Sequence, residues 1–119
     1  MATGTIALVA YDQSLADRLR DLLGDDPDLS EQNMFGGLAF LVNGNVAIAA
    51  SGQGGILVRV DREDSDRLVA TSSAELAVMR GRPMDGWLRV ATEHLRTRRQ
   101  LTRWATLGAT YARSLPPKQ

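Results

Sequence analysis

Residues 38–60 read LAFLVNGNVAIAASGQGGILVRV, and the architecture of the chain follows from them. Three short apolar runs, Leu38–Val42, Val46–Ala50 and Ile56–Val60, are separated by Asn43-Gly44-Asn45 and by Ser51-Gly52-Gln53-Gly54-Gly55. Short apolar runs bounded by such clusters read as strands, and Asn-Gly marks a tight hairpin because both residues tolerate positive φ. The stretch is therefore an antiparallel meander. Strand alternation divides the side chains between two faces. Leu38, Phe40, Val46, Ile48 and Val58 are the bulkier set and are expected to face helices. Ala39, Leu41, Ala47, Ala49, Leu57 and Arg59 then fall on the opposite face.

Upstream, Ser30–Phe35 reads as a further strand, ended by Gly36 and Gly37. Two adjacent glycines between apolar strands predict a sharp bend, in which one takes positive φ or allows close packing. A ligand against these glycines is the functional reading, and geometry is the preferred one. Before them, Leu15, Leu19, Leu22 and Leu23 mark one face of a helix over Gln13–Leu23, capped by Asp12 or Ser14 and stopped by Gly24 and Pro27. Residues 1–10 are an uncertain lead-in. Thr5–Ala10 reads as an edge strand or a frayed tail.

Downstream, the acids at Asp61, Glu63 and Asp64 predict a helix start, running to Ala70 and burying Leu68 and Val69. Glu75–Met79 and Trp87–Val90 read as strands around a turn at Gly81-Arg82-Pro83. A long helix over Thr97–Ser114 carries a stripe of Leu101, Trp104, Gly108, Tyr111, Ala112 and Leu115. Hairpins grouped between helices predict an α+β fold rather than alternating βαβ units. The expected form is a two-layer sandwich: an antiparallel sheet of five to six strands, helices packed on one face, and one domain over residues 11–118.

The 119-residue chain has no cysteine and a single histidine, His94, which excludes disulfides, thiol catalysis and multi-histidine metal sites. No apolar run reaches the roughly 18 residues of a membrane span. The start, MATGTIALVAY, lacks a basic region before its apolar run, so no signal peptide is expected and the cytoplasm is the expected compartment. The formal net charge is zero but unevenly spread. Residues 1–75 hold 5 basic and 12 acidic residues, and residues 76–119 hold 9 basic and 2 acidic.

Few constellations point to chemistry. Gly52-Gln53-Gly54-Gly55 fails as a phosphate cradle, since a strand rather than a helix follows it. His94 has no evident nucleophile or orienting partner in the sequence. Asp61, Glu63, Asp64 and Asp66 lack the glycine and closing glutamate of a calcium loop. No catalytic residue, metal or cofactor is assigned, and an enzyme is not expected. Arg96, Arg99 and Arg103, with Arg98 beside them, form a candidate basic surface for nucleic acid, though no nucleic-acid-binding signature accompanies them. Trp87 alternates with Leu88 and Val90, which puts it with Arg89 on the face away from the helices. Leu41, Leu57, Arg59, Trp87 and Arg89 thus form a candidate surface for a protein partner or a second copy of the chain. That face becomes core instead if Thr5–Tyr11 or the middle helix folds over it.

Four segments together resemble the N-terminal domain of the TfoX/Sxy proteins. They are Met34-Phe35-Gly36-Gly37-Leu38-Ala39-Phe40, Asn43-Gly44-Asn45, Gly81-Arg82-Pro83-Met84-Asp85-Gly86-Trp87, and Tyr111-Ala112-Arg113-Ser114-Leu115-Pro116-Pro117-Lys118. The resemblance spans about residues 11–118. It implies a two-layer α+β domain and a bacterial regulatory protein. Full-length members are linked to expression of DNA-uptake competence genes and act with the cyclic-AMP receptor protein, so a transcription regulator is the partner it implies. Those members carry a second, helical domain, and a single-domain form is expected here. The family offers no catalytic residues to carry over.

Overall fold

A computed structural model describes residues 11–34 and 36–118 of the protein. In chain order it contains α1 (Gln13–Leu23), β1 (Leu29–Met34), β2 (Gly37–Val42), β3 (Asn45–Ala50), β4 (Ile56–Arg59), α2 (Ser65–Thr71), β5 (Glu75–Met79), β6 (Arg82–Val90) and α3 (Arg98–Ser114). Single 3-10 turns at Arg62–Asp64 and Thr92–His94 lead into α2 and α3. The six strands form one sheet in the order β1-β2-β3-β4-β6-β5, with every neighbouring pair antiparallel. The expected α+β class is the one found. The readings of Thr5–Ala10 and of Phe35 lie outside the described residues.

Local chemistry sets the elements. Asp12 caps α1, its Oδ1 accepting the Leu15 N–H at 3.1 Å. At α3, Thr97 and Gln100 form a reciprocal capping box: the Gln100 N–H donates to Thr97 Oγ1 and the Thr97 N–H to Gln100 Oε1. Asn43 (φ 54) and Gly44 (φ 80) turn β2 into β3 with both central residues at positive φ, the twist a two-residue hairpin prefers. The three described helices pack on one face of the sheet. Leu15 and Leu19 of α1, Leu68 of α2, and Leu101 and Trp104 of α3 share a buried cluster with Phe40, Ile48, Val58 and Leu88.

Two close approaches between backbones rest on glycine. Gly37 lies so near the next strand that a Cβ there would sit 1.9 Å from the Ala50 carbonyl oxygen, while its neighbour Gly36 takes φ +69. Gly108 lets α3 lie directly on β3, since a Cβ there would meet the Ala47 oxygen at 2.2 Å.

The structure departs from the expected pattern in four places. The pairing of β2 with β3 shifts between Phe40 and Leu41, so that Phe40 faces Ile48 but Leu41 faces Val46. This bulge inserts Ala47 as an extra residue and exchanges two side chains. Ala47 joins the helix-side core, and Val46 joins the cluster on the other face. Second, the last hairpin turns at Arg80 (φ 53) and Gly81 (φ 76), so Arg82 and Pro83 already belong to β6, opposite Met79 and Val78. Pro83 is tolerated because β4 pairs with β6 only from Trp87 onward. Third, the helix expected from Asp61 begins as the 3-10 turn, with Asp61 Oδ1 accepting the Glu63 N–H at 2.9 Å, and α2 proper starts at Ser65. Fourth, Tyr111 and Leu115 are only half-buried, and Ala105 takes a place in the α3 core stripe.

Candidate functional site

The second face of the sheet carries its own small apolar cluster. Ala39, Leu41, Ala49, Leu57 and Ala77 lie at its centre, with Met34, Val46, Met79 and Trp87 half-buried around them. Among the described residues no helix packs on this face; the middle helix α2 joins the opposite cluster through Leu68. The alternative in which the middle helix makes this face core is thereby set aside, and the part of it that concerns Thr5–Ala10 lies outside the described residues. Leu41 and Leu57 are only 6% and 5% exposed. They form the floor of the face, so a partner would meet the ring around them.

The two arginines of the candidate surface lie on neighbouring strands, Arg59 opposite Trp87 and Arg89 opposite Leu57. The Arg89 guanidinium is spent on the protein itself: it donates to the carbonyls of Gln53 at 2.9 Å and Gly54 at 3.0 Å and to Ser51 Oγ at 3.3 Å, which ties β6 to the β3–β4 turn. A cleft of about 230 Å³ opens beside it, between Leu57, Met79 and Arg80. Arg59, at the end of β4, stacks over the Trp87 ring at 4.9 Å and lies 5.7 Å from the Tyr111 ring of α3. Its Nε is buried and has no hydrogen-bond partner among the described residues. A second cleft, of about 310 Å³, opens there. Its wall includes the tail after α3, held by Asn45 Nδ2 donating to the Pro116 carbonyl at 3.0 Å and by the Lys118 N–H donating to the Asn43 carbonyl at 2.7 Å. Sequence reading placed Asn43 and Gly44 in a turn; it had no signal that the chain end returns to that turn.

The candidate basic residues Arg96, Arg99 and Arg103 are exposed on the helix layer, on the other side of the sheet from Trp87. Arg103 lies over the Trp104 ring at 4.8 Å. Other cations of the helix layer are met by acids of residues 1–75. Arg98 is 3.7 Å from Asp21, Arg113 pairs with Asp26, and the Arg20 fork binds Glu31 at 2.6 and 2.8 Å. Asp26 is held below its ordinary acidity range first by the Asp28 backbone N–H and then by Arg113, and Glu31 is held low by Arg20. A groove of about 560 Å³ in the helix layer runs between α1 and α3 and has the Asp26–Arg113 pair in its lining.

Nothing in the described residues gathers three potential metal ligands, and no described helix is long and apolar enough to cross a membrane. His94 faces Glu93 at 3.8 Å near the start of α3. Comparison with curated proteins gives no match. A family model for the TfoX N-terminal domain matches residues 21–112, from the last turn of α1 to the last turns of α3. The matched span holds all six strands, both arginines of the second face and Trp87, and the chain belongs to the TfoX N-terminal domain family.

Proposed function

We propose that this domain is a small non-enzymatic regulatory module that works by binding a protein through the ring around its second sheet face. One observation carries the reading. Trp87 and Arg59, residue types enriched at binding hot spots, are stacked at 4.9 Å beside an apolar cluster that no described helix joins. Membership of the TfoX N-terminal domain family supports a regulatory role, and the resemblance to competence regulators makes a transcription regulator the first partner to try. The arginines of the helix layer favour nucleic acid less, because no nucleic-acid-binding signature accompanies Arg96, Arg99 and Arg103, and their neighbour Arg98 faces Asp21.

The test is a deletion in the native host followed by transcript profiling and complementation. Wild type and a variant with Arg99→Ala and Arg103→Ala are expected to restore the profile. Trp87→Glu, shown to fold by its circular dichroism and melting, is expected not to. A deletion that changes no transcript, or full restoration by folded Trp87→Glu, would overturn the proposal.

A further inference from the structure

We infer that the cleft beside Arg59 is a binding site for a small organic carboxylate carrying an apolar body. The inference shares Trp87 with the proposed partner surface but stands without it, since it concerns a ligand lying inside the cleft. The Arg59 guanidinium carbon lies 4.9 Å from the centroid of the Trp87 ring and 5.7 Å from that of Tyr111. Contact with the two rings leaves the positive charge without a counter-ion among the described residues, and the guanidinium N–H donors form the fork that matches a carboxylate. One of them, Nε, is buried without a hydrogen-bond partner among the described residues. Buried as it is, Nε does not open onto the cleft, so a carboxylate lying there is met by the terminal N–H donors of the guanidinium.

The walls narrow the choice of partner. Arg59 and Lys118 are the charged residues of the lining, and no acidic side chain lines it among the described residues. Unlike Arg20 and Arg113, Arg59 makes no ion pair among the described residues. An anion therefore meets two cations and no competing carboxylate from that lining. Met34, Leu41, Trp87 and Leu115 supply an apolar lining, which favours a carbon skeleton over a bare inorganic ion. The tail is pinned by its hydrogen bonds to Asn45 and Asn43, so the cleft is formed before any ligand enters. A volume of about 310 Å³ suits a compact aromatic or branched acid.

The experiment is an NMR titration of the 15N-labelled full chain, following its two indole N–H signals, with Trp87 assigned through Trp87→Phe. Phenylacetate is the probe, and phenylacetamide, acetate and inorganic phosphate are the comparisons. Phenylacetate is expected to move the Trp87 signal saturably with a Kd of about 1–10 mM, in keeping with a ligand of this size. The neutral amide should bind about tenfold more weakly or worse, because hydrogen bonds to a charged group are lost. Arg59→Met is expected to abolish the movement while the rest of the spectrum keeps its dispersion. If that variant does not fold, Arg59→Lys, which keeps the charge and loses the fork, is expected to weaken binding at least about fivefold. No saturable movement, an equal response to phenylacetamide, acetate or phosphate, or an undiminished response in the folded Arg59 variant each overturns the assignment. None of these results depends on whether Trp87→Glu fails to complement in the host, so the two readings fail separately.

Discussion

A Cβ added at Gly37 would lie 1.9 Å from the Ala50 oxygen, so Gly37→Ala forces the β2–β3 backbones apart. The expected cost is about 1–3 kcal/mol, typical of overpacking, and urea denaturation reads it as a lowered midpoint at unchanged slope. At Gly36 space is ample, and φ +69 is the obstacle, so Gly36→Val should cost a similar amount by backbone strain, about 1–3 kcal/mol. A melting point equal to wild type for both variants would contradict the geometry of this turn. Both positions were marked by the Gly-Gly pair itself. Which glycine answers to space and which to φ depends on where Ala50 lies, and the pair says nothing about that.

At the scale of elements, α3 is the helix on which the core is built, and Gly108 is its point of closest approach to the sheet. In an exposed helix, Gly→Ala is stabilising by about 1 kcal/mol. Here the added Cβ would meet the Ala47 oxygen at 2.2 Å, so the sign reverses and Gly108→Ala is expected to lower stability. Thermal melting of that one variant decides between helix propensity and helix-on-sheet contact. The start of the same helix carries a separate expectation. Thr97→Ala removes one side of the capping box and should cost about 1 kcal/mol, recovered in large part by Thr97→Ser. The boundaries of α1 and α3 were legible from caps, apolar spacing and stop signals, all of which are local. Those of β6 were not, because Arg82 and Pro83 pair with Met79 and Val78 of β5 once the turn falls at Arg80 and Gly81.

Across the whole molecule, the acidic first half and the basic second half meet through Asp21–Arg98 and Asp26–Arg113, and Arg20 ties α1 to Glu31 of β1. Asp26 and Glu31 titrate below their ordinary values of 3.8 and 4.5. A carboxylate lowered in the folded state adds stability above its unfolded pKa, and the gain is lost as pH falls through the folded value. Melting points are therefore expected to fall on acidification below about pH 5, and the fall should be shallower when Arg20 and Arg113 are both changed to Gln. The charge pattern also bears on association. If nucleic acid binds through Arg96, Arg99 and Arg103, affinity must fall steeply with salt. Fluorescence anisotropy with a duplex at low salt is expected to show no such binding. For the second face, light scattering on wild type and Trp87→Glu reads self-association directly: a dimer that becomes a folded monomer identifies the partner as another copy of the chain.

Alternation and turn chemistry alone determined the strands, the class of fold and the residues available to each face, because these rest on periods of two and 3.6 residues and on local φ preferences. They placed Leu41, Leu57, Arg59, Trp87 and Arg89 together on one face. Tertiary structure decided what each of them has left to offer. The bulge at Phe40/Leu41 exchanged Val46 with Ala47, which no alternation rule anticipates, since one inserted residue resets the period for everything beyond it. Arg89 and Arg59 looked equivalent as residue types on neighbouring strands. Arg89 found three acceptors at the β3–β4 turn, while Arg59 found two aromatic rings and, among the described residues, no partner for its buried donor. That difference arises from contacts between residues far apart in the chain, Arg59 with Tyr111 and the tail with Asn45, and distant contacts exist only once the chain has closed on itself.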